Sequence, residues 1–300
     1  MTWRWAAASV IGTSHVRNDV RLQDAYAISA VADGHIFAIV SDGAGTAEFG
    51  VFGAWLACRS LTVCFREWLR ENSGFPSDEV LWDWIDELRD RIAGIAEHRA
   101  SKPRQFASTL AAILISPDKV LTLHIGDSAV VGRNRGTWEV LCRPENGEYA
   151  SSTYFITDAP SPRLNIVRQP RTHDAFALFS DGVGDLALAH QDQVAHPGFF
   201  EPMIRPVDAA EGQGRLADLS AQLSTYLASA SVCERTDDDS YRDGEGAGYS
   251  HRQGSGVLGR VNWKGWRRRS LRCQGPLRGS GENLQRPSAY QARRQSTRDG

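Results

Sequence analysis

The sequence predicts an α+β fold in which sheets are covered by helices on both outer faces. Three observations predict it. Residues 24–42 read as a β-hairpin, residues 47–99 as two adjacent amphipathic helices, and residues 106–142 as a meander of short strands. Alternating blocks of this kind bury the apolar stripe of a helix against the apolar face of a sheet.

The hairpin comes first. Ala25 to Val31 and Ile36 to Val40 are apolar runs flanking Asp33-Gly34, a tight-turn signal. A helix is predicted over 47–71, where Phe49, Phe52, Leu56, Val63 and Trp68 recur on a rough helical period. A second is predicted over 78–99, capped by Ser77, with Leu81, Trp84, Ile85, Leu88, Ile92 and Ile95 on one stripe. Glu87, Arg89, Asp90 and Arg91 then read as its solvated face. Strands are expected at 106–115, 120–125, 129–132 and 137–142, with turns at Ser116-Pro117-Asp118 and Arg135-Gly136. Residues 143–172, rich in Pro, Ser and Thr, read as an irregular surface excursion. A strand returns at Phe176–Phe179. Helix-like sequence fills 183–230, broken at Pro197 and from Pro202 to Pro206.

The 300 residues are 41 % hydrophobic and 23 % charged, enough for a sizeable core. No secretory pattern opens the chain, and no apolar run approaches membrane-spanning length. The five cysteines are scattered without C-x-x-C spacing, which predicts reduced thiols in a cytoplasmic protein and argues against a disulfide framework or a zinc site. Residues 241–300 carry 13 Lys and Arg against 4 Asp and Glu, a net +9, so the first 240 residues are net −11. That segment is rich in Gly and Arg without periodicity. It reads as a disordered basic tail after a domain spanning 1–240.

Five acidic clusters stand beside the apolar runs. They are Gln23-Asp24, Asp42-Gly43-Ala44-Gly45, Gly126-Asp127-Ser128, Asp181-Gly182-Val183-Gly184-Asp185 and Thr236-Asp237-Asp238-Asp239. An Asp at the end of a buried strand is unfavourable unless its charge is met. Several such carboxylates converging in a fold are a common way to hold hard divalent cations. The glycines that follow Asp42 and Asp181 let the backbone approach a ligand closely. Singly, each cluster is also a plain turn or a solvated acidic loop.

In their order, the motifs resemble those of the metal-dependent protein phosphatases, the type 2C serine/threonine phosphatases, in their bacterial branch. The matching residues are Gln23-Asp24-Ala25, Ser41-Asp42-Gly43-Ala44-Gly45, Phe106-Ala107-Ser108-Thr109-Leu110, His124-Ile125-Gly126-Asp127-Ser128, Phe179-Ser180-Asp181-Gly182-Val183 and Asp237-Asp238-Asp239-Ser240, with Gly12-Thr13-Ser14-His15 near the start. The resemblance spans residues 8–240. It implies a four-layer α-β-β-α sandwich of two antiparallel sheets flanked by helical pairs. It implies two Mn²⁺ or Mg²⁺ ions at one end and a third, weaker ion. Carried over by position, Asp42 bridges the two ions, Asp181 and Asp237 hold the first, and Asp24 and the Gly43 carbonyl serve the second. Asp127 and Asp185 match the third. The implied reaction is hydrolysis of phosphoserine or phosphothreonine on proteins, by in-line attack of a water whose pKa the metal pair lowers.

Departures from the family pattern are local. Gln23 stands where the family has Glu, Ala44 where it often has His, and Ala129 where Arg is common. Its phosphate-binding Arg falls at Asp19, which leaves His15, Arg17 and Arg21 as candidate phosphate contacts, His15 and Arg17 being counted with Asp42 and Asp181 as catalytic. After Ser240 the alternating strand that should follow the last motif is missing, as if a terminus had been replaced or read in another frame. The implied partners are a phosphorylated protein substrate and a cognate Ser/Thr kinase. No membrane is expected, and nucleic acid only through the basic tail. The alternative reading is a pseudophosphatase that binds phosphoproteins without turnover.

Overall fold

Side chains along each central strand alternate between two buried environments, so these strands lie inside a layered structure. The computed structural model describes residues 2–11, 22–31, 34–147, 153–189, 194–230, 232 and 254–262, the last segment by its backbone. In chain order the elements are β1 (Thr2–Val10), β2 (Ala25–Ala30), β3 (Ile36–Ser41), α1 (Gly50–Glu71), α2 (Asp78–His98), β4 (Leu110–Ile115), β5 (Lys119–Ile125), β6 (Ala129–Asn134), β7 (Thr137–Cys142), β8 (Asn165–Pro170), β9 (Ala175–Phe179), α3 (Gly184–Ala187), β10 (Leu188–Ala189), β11 (Val194–Ala195), α4 (Pro197–Ala209), β12 (Gly214–Arg215), α5 (Ala217–Leu227) and β13 (Gly254–Asn262).

Two sheets carry the fold. One has six strands in the order β12-β1-β13-β9-β6-β7, and the other five in the order β2-β3-β4-β5-β8. The five-stranded sheet is antiparallel throughout. The six-stranded one is antiparallel except where the short β12 runs parallel to β1. In β3, Ile36, Ala38 and Val40 face a core between the sheets, with Ala111 and Ile113 of β4 and Phe176 and Leu178 of β9. Phe37 and Ile39, one residue out of phase, face an outer core under α1 and α2. On the far side, Ala129, Val131, Ala175, Ala177 and Phe179 meet Phe200, Ile204 and Leu223 of α4 and α5. Three apolar layers between four layers of structure are the α-β-β-α sandwich.

Helix α2 follows the predicted stripe, with Leu81, Ile85, Leu88 and Ile92 buried and the Val80 N–H donating to the Ser77 hydroxyl at 3.4 Å. Helix α1 starts at Gly50 because residues 44–49 are committed to turns. There the Ala47 N–H donates to the Ala44 carbonyl, and the Phe49 N–H donates to that of Gln105.

Several expectations are corrected. Residues 103–106 form a 3₁₀ turn, so that strand begins at Leu110. The excursion at 143–172 contains β8, an edge strand whose Val167 and Arg168 are exposed. Its outward face hides the burial that marks a core strand. Pro197 opens α4 where its missing N–H is harmless, and Pro202 and Pro206 lie inside the helix. Burial of Phe200, Ile204 and Val207 outweighs the lost ladder bonds. Arg89 is not merely solvated, since its guanidinium donates to the carbonyls of Ile156, Asp158 and Pro160, holding the excursion to α2. β1 gave no signal that the sequence reading used.

The largest correction is in the tail. Residues 254–262 form β13, paired along its whole length with β1 and over five residues with β9. Without it, β1 and β9 would face each other with two rows of unmet backbone groups. That seat selects for an extended backbone more than for an alternating pattern. Residues 241–253 and 263–300 lie outside the described residues.

Candidate active site

The first four acidic motifs fall at one end of both sheets, and strand register explains why. Ala25 pairs with Ser41, so the next position outward sets Asp24 opposite Asp42. Val40 pairs with Ala111, so Asp42 meets Thr109, and the ladder extends to a bridge between Gly43 and Ser108. In the other sheet Ala129 pairs with Phe179, so the next positions outward are Ser128 with Ser180 and Asp127 with Asp181. Directly opposed residues on antiparallel strands hold their Cβ atoms about 5 Å apart. Two opposed acid pairs, one per sheet, therefore stand over the end of the sandwich.

Their electrostatics reflect that crowding. The Asp42 carboxyl lies well above the ordinary Asp range because burial disfavours its charge, because Asp24 and Asp181 repel it, and because it shares a hydrogen bond with Asp24; Asp127 adds further repulsion. A hydrogen bond between two carboxyl groups requires one shared proton. The Asp24 charge reaches α1 as well, where burial first and then that charge push the Cys58 thiol up. One oxygen each of Asp24, Asp127, Asp181 and Asp185 is buried and accepts no hydrogen bond. Oxygen donors of this kind suit a hard divalent cation. Among the described residues, no three acidic, His or Cys side chains are already drawn into a closed metal cage.

Hydroxyl groups set the positions of the acids. The Ser180 hydroxyl donates to Asp24 Oδ2 at 2.8 Å in a buried contact across the two sheets. The Asp42 N–H donates to Thr109 Oγ1 at 3.0 Å, the Thr109 N–H donates back to the Asp42 carbonyl at 2.8 Å, and Thr109 Oγ1 lies 3.1 Å from Ser128 Oγ. His124 Nε2 lies 2.6 Å from the Ser128 carbonyl and so must carry the proton it donates. Burial lowers the His124 pKa, against the opposing effects of that bond and of Glu145. The neutral imidazole is thus a packed strut. The positioning roles of Thr109, Ser128 and Ser180 were not read from the sequence, although each stands beside a motif Asp and each shares its register with another strand end.

The loop after Asp42 is tightly folded. The Gly43 N–H donates to the Gln23 carbonyl at 3.3 Å, and Gly43 lies against Gly50 at the start of α1. Asp185 stands one helical turn beyond Asp181, in α3. His15, Arg17, Arg21 and Asp237 lie outside the described residues. Strand β13 starts at Gly254, 17 residues beyond Asp237, so the last motif does not run directly into its strand.

The protein phosphatase 2C family model matches residues 11–228, most of the chain. The chain belongs to the protein phosphatase 2C family. Serine/threonine-protein phosphatase 3 of Escherichia coli strain K12 is 34 % identical over 244 residues, covering 80 % of this chain and 96 % of that protein. Among solved structures, the S. agalactiae serine/threonine phosphatase superposes with a TM-score of 0.57 at 16 % identity, over 87 % of this chain and all of that one. The catalytic domain of the phosphatase PstP, solved with two manganese ions, superposes with a TM-score of 0.55 at 16 % identity, over 86 % of this chain and 98 % of that one. For this phosphatase those likenesses bear on the fold. Its neutral Gln23 is buried and lends its main-chain carbonyl to Gly43, and Ala129 faces the outer core. No helix among the phosphatase's described residues is long and apolar enough to cross a membrane.

Proposed function

We propose that the protein hydrolyses phosphoserine and phosphothreonine on protein substrates with divalent cations, Mn²⁺ or Mg²⁺, held at the ends of its two sheets. The observation that carries this reading is the convergence of Asp24, Asp127 and Asp181 on the half-buried Asp42. Four acidic side chains drawn together make this end of the sandwich suited to cations rather than directly to a phosphate ester.

In this reading Asp24, Asp42, the Gly43 carbonyl, Asp181 and Asp237 would hold two ions, and Asp127 with Asp185 would hold a third, weaker one. Such ions supply charge neutralisation for the phosphate and a lower pKa for the attacking water. The chain's own part is positional. Ser180 orients the Asp24 carboxylate, Thr109 fixes the backbone of Asp42, and the neutral His124 braces the Asp127 turn. His15 and Arg17 contact the phosphate. The catalytic unit comprises residues 1–240 with β13 added from the tail. It acts in the cytoplasm on proteins phosphorylated by a Ser/Thr kinase.

Turnover of p-nitrophenyl phosphate and of a phosphothreonine peptide with Mn²⁺ tests the reading. Activity that needs the metal and disappears in Asp42→Ala supports it. A folded parent without turnover would instead support the pseudophosphatase, the reading favoured by Gln23 and Ala44.

A further inference from the structure

We infer that the surface around Trp55 is a docking shelf for an acidic segment of the phosphoprotein substrate, an inference that rests on the phosphatase reading. The outer face of α1 presents Val51, Trp55, Arg59 and Val63 at four-residue spacing. Val51, Trp55 and Val63 are 40, 47 and 42 % exposed. A helix face that repeats at i, i+4 and i+8 is one continuous surface. Exposed Trp is rare on surfaces that bind nothing and enriched at binding hot spots.

The shelf is anchored in the core. Phe106 is fully buried; Phe49 stacks on it at 4.9 Å, Phe52 meets its edge at 6.1 Å, and Trp55 follows Phe52 at 5.5 Å. Cations cover this aromatic run. Arg99 lies 5.0 Å from the Phe49 ring and 5.9 Å from the Phe52 ring, and Arg59 lies 5.6 Å from Trp55. Lys102 and Arg104, both exposed, are carried by the connection that ends in Phe106. Exposed acids next to it in the chain include Glu48, Glu97 and Glu67, the last four residues past Val63 on the same face. The first 240 residues are net acidic, and on that background Arg59, Arg99, Lys102 and Arg104 give this aromatic surface a local attraction for an anionic segment. Residues 241–300 are themselves basic and are a poor match for it.

Its place suits a substrate. Gly50, the first residue of α1, packs against Gly43 of the acidic loop. Trp55 is five residues further, about 7.5 Å along the helix axis. A peptide whose phosphoresidue enters the acidic end can lay its flanking residues over Phe52 and Trp55, with their carboxylates toward Arg59 and Arg99.

The experiment compares the parent with Trp55→Ser and with Arg59→Glu/Arg99→Glu, all with Mn²⁺. Three substrates are used: p-nitrophenyl phosphate, a phosphothreonine peptide with acidic flanks and one with neutral flanks. The expected result is unchanged p-nitrophenyl phosphate turnover and a loss of about tenfold in kcat/KM, through KM, for the acidic peptide alone. That loss should shrink at high salt. A parent with no preference for the acidic peptide, or equal losses on all three substrates, would overturn the inference. Trp55→Ser, a single exposed change, keeps the test alive if the double variant fails to fold. If the parent turns over none of the substrates, the phosphatase reading fails. The shelf is then tested by fluorescence anisotropy of the acidic peptide, where binding left unchanged by the variants refutes it.

Discussion

A single methyl group on Gly43 should displace the candidate metal loop. A Cβ built there lies 2.4 Å from the Gly50 carbonyl carbon, 2.5 Å from the Gly50 oxygen and 3.0 Å from the Gln23 oxygen. All three are backbone atoms, so no side chain can rotate away. Restoring ordinary contact at about 3.4 Å requires a shift of about 1 Å between the loop and α1. Overpacking of this kind costs about 1–3 kcal/mol, or roughly 2–10 °C in Tm for a domain of this size. The functional cost should be larger, since a misplacement of about 1 Å at a reacting centre lowers turnover on the order of 100-fold. Gly45 is the internal control. It lies two residues further along the same loop, and its Cβ would meet only Gln23 Oε1 at 3.9 Å. Mn²⁺-dependent kcat/KM on p-nitrophenyl phosphate and thermal melts should therefore separate Gly43→Ala from Gly45→Ala. Equal behaviour of the two variants would refute the reasoning, whether both are active or both are impaired.

Ser180→Ala removes the buried donor to Asp24 Oδ2 and should weaken Mn²⁺ binding about tenfold by calorimetry, with Ser180→Thr restoring it. Arg133 forks to Asp174 and Asp208 at 3.0 Å, far along β6 from the acidic end. Arg133→Met should cost about 2–3 kcal/mol in urea unfolding, allowing for the partial exposure of both carboxylates, without changing kcat of the folded fraction. His124 has a lowered pKa when folded, so the unfolded chain takes up the proton that the folded chain refuses. Stability should fall as pH drops below the ordinary value of 6.5, by at most about 1.4 kcal/mol per pH unit from this group. His124→Gln should flatten that slope, and an unchanged slope in denaturant titrations would argue that the imidazole is solvated.

Much of this was legible in the chain because it is local. The hairpin at Ala25–Ser41 follows from two apolar runs about a tight turn, and α2 from a stripe behind Ser77. The acids Asp24, Asp42, Asp127 and Asp181 were recognisable because strand ends and glycines leave a short-range signature. Elements whose stability comes from neighbours were missed. β8 exists because β5 offers an edge, and β13 because β1 and β9 leave a gap between them.

The amino-acid sequence by itself determined the layered fold class, the family and the identity of the acids. Only the tertiary structure decided that Asp24 stands opposite Asp42 and that Ser180 reaches across the sheets to Asp24. It alone closed the six-stranded sheet with residues 254–262. Pattern along a chain records which face of a strand is buried, whereas register and sheet closure depend on backbone groups that every residue carries alike.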